Sequence, residues 1–115
     1  MTGWIGVDLD GTLAYYDIWR DAAHIGPPIP VMTERVKRWL AEGRDVRIFT
    51  ARISHADEAE VARTAIVAWC KNHLGQELPV TNLKDYDMIE LWDDRCVAVK
   101  CNTGECLNAS TRGLV

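Results

Sequence analysis

An α/β fold with a mainly parallel sheet is what this sequence predicts, on three observations. Short apolar runs alternate along the chain with stretches of helical periodicity, the pattern of strand–helix–strand units. The runs end in acids or hydroxyls, where an open parallel sheet carries its reactive groups. The 115 residues hold no repeat, low-complexity tract or linker, so one domain spans 1–115.

The elements follow in order. Residues 4–9 form an apolar run ending in acid and predict the first strand. Residues 13–30 hold Tyr15, Tyr16, Trp19, Gly26 and three prolines without a period, and predict a flap. Thr33 can cap a helix carrying Val36, Trp39 and Leu40 on one face, and Gly43 ends it. Asp45 to Thr50 alternates as a strand. Ser54 or Asp57 can open a second helix with Ala59, Ala62, Ile66, Trp69 and His73 on one stripe, stopped by Gly75. Pro79–Leu83, Ile89–Trp92 and Cys96–Lys100 predict the remaining strands, which makes five in the sheet.

Composition narrows the function. A net charge of −4 disfavours a general nucleic-acid binder, which needs a basic surface. No window is apolar enough to span a bilayer, and the N-terminus lacks a basic leader, so the expected location is the cytoplasm without membrane partners. Cys70, Cys96, Cys101 and Cys106 contain no CxxC pair and read as thiols. Oligomerisation is left open.

The strand ends carry the chemistry. Asp8 and Asp10 close the first strand, with Gly11 allowing the turn. Thr50 closes the second, Lys84 follows the third, and Asp93 and Asp94 close the fourth. Carboxylates that converge repel one another, and a divalent cation relieves the repulsion. An all-oxygen ligand set suits Mg²⁺. With Lys84, Arg52 and the Thr50 hydroxyl facing a phosphoryl group, the parts for phosphoryl transfer are present. Asp8 is the candidate nucleophile. Asp10 is the candidate acid for the leaving oxygen and base for the attacking water.

These segments have a family likeness. Asp8-Leu9-Asp10-Gly11-Thr12-Leu13 after an apolar strand resembles the first motif of the haloacid-dehalogenase superfamily. Phe49-Thr50-Ala51-Arg52 resembles the second, Lys84 stands at the third, and Leu91-Trp92-Asp93-Asp94-Arg95 resembles the acidic fourth. The resemblance implies a Rossmann-like three-layer sandwich and a phosphatase forming an aspartyl-phosphate. It implies Mg²⁺ held by the Asp8 carboxylate, the Asp10 backbone carbonyl and Asp93 or Asp94. Catalytic roles then fall to Asp8, Asp10, Thr50 and Lys84, with Gly11, Ala51 and Arg52 around the substrate. Residues 11–49 and 51–83 leave no room for a folded cap. The Thr-Ala-Arg and Asp-Asp-Arg segments are similar to those of the 3′-phosphatase domain of phage polynucleotide kinases. That likeness suggests a nucleotide, a nucleic-acid end or another phosphorylated metabolite as substrate. A non-catalytic phosphate-binding module and a phosphoryl-storing regulatory domain are the competing readings. The intact acid set argues against the first and Asp10 against the second.

Overall fold

The computed structural model describes residues 2–108. Strand β1 spans Trp4–Val7, helix α1 Pro30–Ala41 and strand β2 Asp45–Phe49. A 3-10 turn at Ala51–Ile53 leads into helix α2, Ala56–Leu74, followed by strands β3, Val80–Thr81, and β4, Met88–Trp92. The sheet runs β3-β2-β1-β4, and every pairing is parallel. The chain is thus α/β with a parallel sheet, as expected, but among the described residues the sheet has four strands instead of five.

The fifth strand is missing because its residues bond to themselves. Val99 pairs with Cys106 in an isolated antiparallel bridge, Lys100 N donates to Glu105 O and Leu107 N to Ala98 O. Cys96–Lys100 is therefore one arm of a small excursion beyond the sheet, with Cys96, Cys101 and Cys106 exposed. Its alternation is that of a strand, but its partner is local.

The expected two helical layers are one. Both helices contribute to a single apolar cluster, Val36 and Trp39 from α1 and Ala62, Ile66, Trp69, Cys70 and Leu74 from α2. It meets Ile5, Val7, Val46 and Ile48 from the sheet. Successive strand residues point to opposite faces, so Trp4, Gly6, Arg47 and Phe49 form the other one. No helix of the described residues covers it. Trp4 is nonetheless buried, held under the Arg47 guanidinium 4.7 Å from its ring and beside the Phe49 ring at 6.4 Å. Its indole N–H donates to Asp85 on the β3–β4 loop at 2.8 Å. Gly6 makes room for this packing, because a Cβ there would lie 2.7 Å from the Met88 methyl.

Helix boundaries follow the backbone more than the hydroxyls. Pro30 occupies the first helical turn of α1, where its fixed φ and missing N–H cost nothing. Thr33 consequently sits inside the helix, its hydroxyl donating back to Ile29 and Pro30 carbonyls, and not at the cap. The flap accordingly ends at Ile29. His55 precedes α2, while Ser54 closes the 3-10 turn through a 2.6 Å bond to Ala51 O. Gly75, at φ 84°, ends α2 in the left-handed conformation, as expected.

Candidate functional site

The residues after β1 turn back sharply. Asp8 N donates to Trp92 O, continuing the ladder and bringing Asp8 beside the end of β4. Leu9 is fully buried, and its carbonyl accepts from the N–H groups of Thr12, Leu13 and Ala14. Leu9 and Leu13 anchor this turn in the core while Asp10 and Gly11 between them line the cleft. Gly11 has φ 91°, and a Cβ there would lie 2.6 Å from Asp94 Oδ2. The positive φ favours glycine, and a side chain here would also push the Asp94 carboxylate aside.

Asp8, Asp93 and Asp94 converge. Each offers an oxygen, and the three lie within 4.8 Å of one another. Thr12 ties the group together, its hydroxyl lying 3.1 Å from Asp8 Oδ2 as donor and accepting from Asp94 N at 3.0 Å. Burial, then the Asp93 charge, raise the Asp8 pKa to about 8. Three carboxyl groups from two strand ends form the hard oxygen donor set that a small divalent cation takes.

Asp10 faces elsewhere. Both its oxygens accept from Arg52 in a fork, Nε to Oδ2 at 2.7 Å and Nη2 to Oδ1 at 2.9 Å. Arg52 Nη1 also donates to Ala22 O at 3.2 Å and to Asp21 O at 3.5 Å. Its guanidinium lies 5.0 Å from the Trp19 ring centroid. With its side chain 4% exposed, Arg52 fastens the flap to Asp10. Most of its donors are spent there, which leaves little of the substrate-facing role expected for it.

Thr50 is buried at the end of β2, where its hydroxyl oxygen accepts from Arg52 N at 3.1 Å, leaving its proton to donate. Asp8, Asp10, Gly11, Thr50, Ala51, Arg52, Asp93 and Asp94 all line one cleft of about 970 Å³. Lys84 is not among the lining residues. It lies exposed on the β3–β4 loop, and Asn82, directly after β3, stands at the cleft in its place. Arg95 lines the cleft too and, among the described residues, has no side-chain partner.

Sequence reasoning missed several lining residues. Thr12, which bonds to Asp8 and Asp94 from outside that lining, was legible in principle as a hydroxyl in the Asp-Leu-Asp-Gly-Thr turn. Asn82 depends on where a two-residue strand ends. His55 and Glu58 reach the cleft only because the start of α2 borders it, and no local signal marks them.

No family model matches the chain, and no curated protein matches it. Among solved structures it is similar to a conserved protein from Bacteroides thetaiotaomicron. That protein is 22% identical, with a TM-score of 0.60 over 84% of this chain and 79% of the other. At that identity the likeness is one of fold. No helix of the described residues is long and apolar enough to cross a membrane.

Proposed function

We propose that this chain hydrolyses phosphate monoesters through a phosphoryl-Asp8 intermediate, as the haloacid-dehalogenase phosphatases its motifs resemble do. The observation that carries the reading is the convergence of Asp8, Asp93 and Asp94 at adjoining strand ends, with the Asp8 carboxyl turned into the cleft. A structural turn needs one capping acid, not three with their oxygens within 4.8 Å.

An Asp8 oxygen attacks phosphorus as the ester P–O bond breaks, and the leaving oxygen takes a proton. Water then attacks phosphorus, releases phosphate and returns the Asp8 carboxylate. Mg²⁺ held by Asp8, Asp93 and Asp94 would neutralise the carboxylates and draw charge from the phosphoryl oxygens. The resemblance implies the Asp10 backbone carbonyl as a further ligand, and the Arg52 fork keeps the Asp10 carboxylate out of that set. For the same reason Asp10 handles the leaving-group and water protons only by exchanging an Arg52 N–H for the substrate. Thr50 donates to a phosphoryl oxygen. We assign the phosphoryl-facing cation to Arg95, which lines the cleft and has no side-chain partner among the described residues, and leave Lys84 to be measured against it.

The test is phosphate release from p-nitrophenyl phosphate and from a panel of alkyl phosphates. Release should require Mg²⁺, stop in excess chelator and be lost in Asp8→Asn. Calorimetric titration of Mg²⁺ gives a readout independent of activity. Binding should weaken in Asp93→Asn and Asp94→Asn. Turnover that persists in chelator would refute the reading.

A further inference from the structure

We propose that Trp19 and Tyr16 form a subsite for a planar ring, and that the phosphomonoester taken is a nucleoside monophosphate. The inference rests on the reading of Asp8 given above and names its substrate class.

The cleft encloses about 970 Å³, more than a phosphate group fills, so there is space for a body attached to it. Two large aromatic side chains line it while remaining accessible, Trp19 at 46% and Tyr16 at 39% exposure. Neither belongs to the apolar core cluster. Exposed apolar side chains are common on this chain, but these two line a concave cleft, where aromatic walls are the usual lining of a ligand site. Trp19 is also held in place. The Arg52 guanidinium that approaches it is forked onto Asp10 and bonded to the carbonyls of Asp21 and Ala22. The Asp17–Arg20 ion pair at 2.6 Å and the bond from Ile18 N to Asp17 stiffen the turn that carries it. The ring platform and the Asp10 carboxylate are thus positioned by one side chain, which couples the distance between ring and phosphate to the flap.

A stacking surface alone accepts any flat ring. His55, Glu58 and Asn82, which line the same cleft, add donors and acceptors suited to a nucleobase edge. The net charge of −4 favours a single nucleotide over a polymer, whose many phosphates the protein cannot neutralise. Tyr15, although 58% exposed, is not among the lining residues and supplies the internal control.

The experiment compares purine and pyrimidine nucleoside 3′- and 5′-monophosphates with glycerol phosphate, using the full chain in Mg²⁺. The expected kcat/KM for the best nucleotide exceeds that for glycerol phosphate about tenfold or more, the scale of one stacked base. Trp19→Ala should erase most of that advantage through KM, Trp19→Phe should retain most of it, and Tyr15→Ala should leave it unchanged. Circular dichroism checks that each variant is folded. Equal rates for ringed and ringless esters, or a Trp19→Ala loss shared equally by both, would overturn the subsite. A phosphorylated oligonucleotide turned over faster than every mononucleotide would overturn the choice of a single nucleotide. If no ester is hydrolysed at all, the Asp8 reading fails by itself. Calorimetry with the same compounds then still decides the subsite, because nothing is consumed. Tighter binding of nucleotide than of glycerol phosphate, lost in Trp19→Ala, supports it, and equal affinities overturn it.

Discussion

Asp8 and Asp10 are two residues apart on one turn, yet they live in opposite electrostatic settings. Asp10 is forked by a buried arginine. Asp8 has two further acids within reach and a threonine hydroxyl as its bonded neighbour. One side of the cleft is closed electrostatically by the protein itself. The other gathers three carboxyl groups whose oxygens lie within 4.8 Å of one another. Leu9 is buried between them and both line one cleft, so the difference lies in what reaches each, Arg52 for Asp10 and the acids after β4 for Asp8. Asp10 is paired with its arginine, whereas burial and the neighbouring acids raise the pKa of Asp8.

Substitutions at the two acids break the contrast most sharply. Asp8→Asn should abolish turnover, by on the order of 10³-fold or more, because an amide cannot act as the nucleophile. Its metal-free thermal stability should not fall above about pH 8, where the substitution removes a charge from a crowded acidic site. Phosphate release on deamidation-free protein, together with a melting curve, checks both parts. The closed side behaves in the opposite way. Arg52→Ala should cost roughly 3 kcal/mol, because it strands Asp10 and releases the carbonyls of Asp21 and Ala22 from their donor. Urea unfolding measures it. A loss below about 1 kcal/mol, the range of an exposed pair, would mean that the fork does not hold the flap.

How far the sequence discloses this contrast depends on the length of each element. Strand β1 is readable as an apolar run ending in acid, β2 by its alternation up to the Thr50 hydroxyl, and both helices because a core stripe runs to a stopping glycine. Asp8, Asp93 and Asp94 are readable as a group for the same reason, each being a strand-end residue. The Asp10–Arg52 fork is not, because it joins residues from two turns whose approach depends on the flap between them. The two-residue β3 cannot tell Asn82 from Lys84, since a shift of two positions decides which side chain stands at the cleft. Cys96–Lys100 has strand alternation and lacks only a place in the sheet, which local pattern does not encode.

Acidity offers a way to sharpen the contrast without touching Asp10. In the unfolded chain the Asp8 carboxyl titrates near 3.8, and in the folded protein at about 8. Between these values the folded state holds the extra proton, so metal-free stability should fall as pH rises through the window and level off above it. For this partly solvent-accessible group the fall is expected to be about 1–2 kcal/mol, well below the full shift. Denaturant midpoints from pH 5 to 9 should slope downward in the wild type and more weakly in Asp8→Asn. Mg²⁺ should restore stability at the alkaline end. Parallel slopes in the two proteins would place the sensitivity elsewhere.

The smallest expected effects separate the two candidate cations. Arg95→Ala should raise KM by about fivefold, the loss of one charge-assisted contact of roughly 1 kcal/mol. Lys84→Ala should change it less, since Lys84 lies outside the cleft lining. Steady-state kinetics on one nucleotide substrate rank them. The reverse order would return the phosphoryl contact to Lys84.

The most direct measurement of the central claim is chemical quenching of the protein during turnover of a phosphate-labelled ester with Mg²⁺, followed by peptide mapping. The account predicts label on the peptide containing Asp8, sensitive to hydroxylamine as an acyl phosphate must be, and absent from Asp8→Asn. Sustained phosphate release with no label on that peptide at any quench time, or label at another residue, would contradict it.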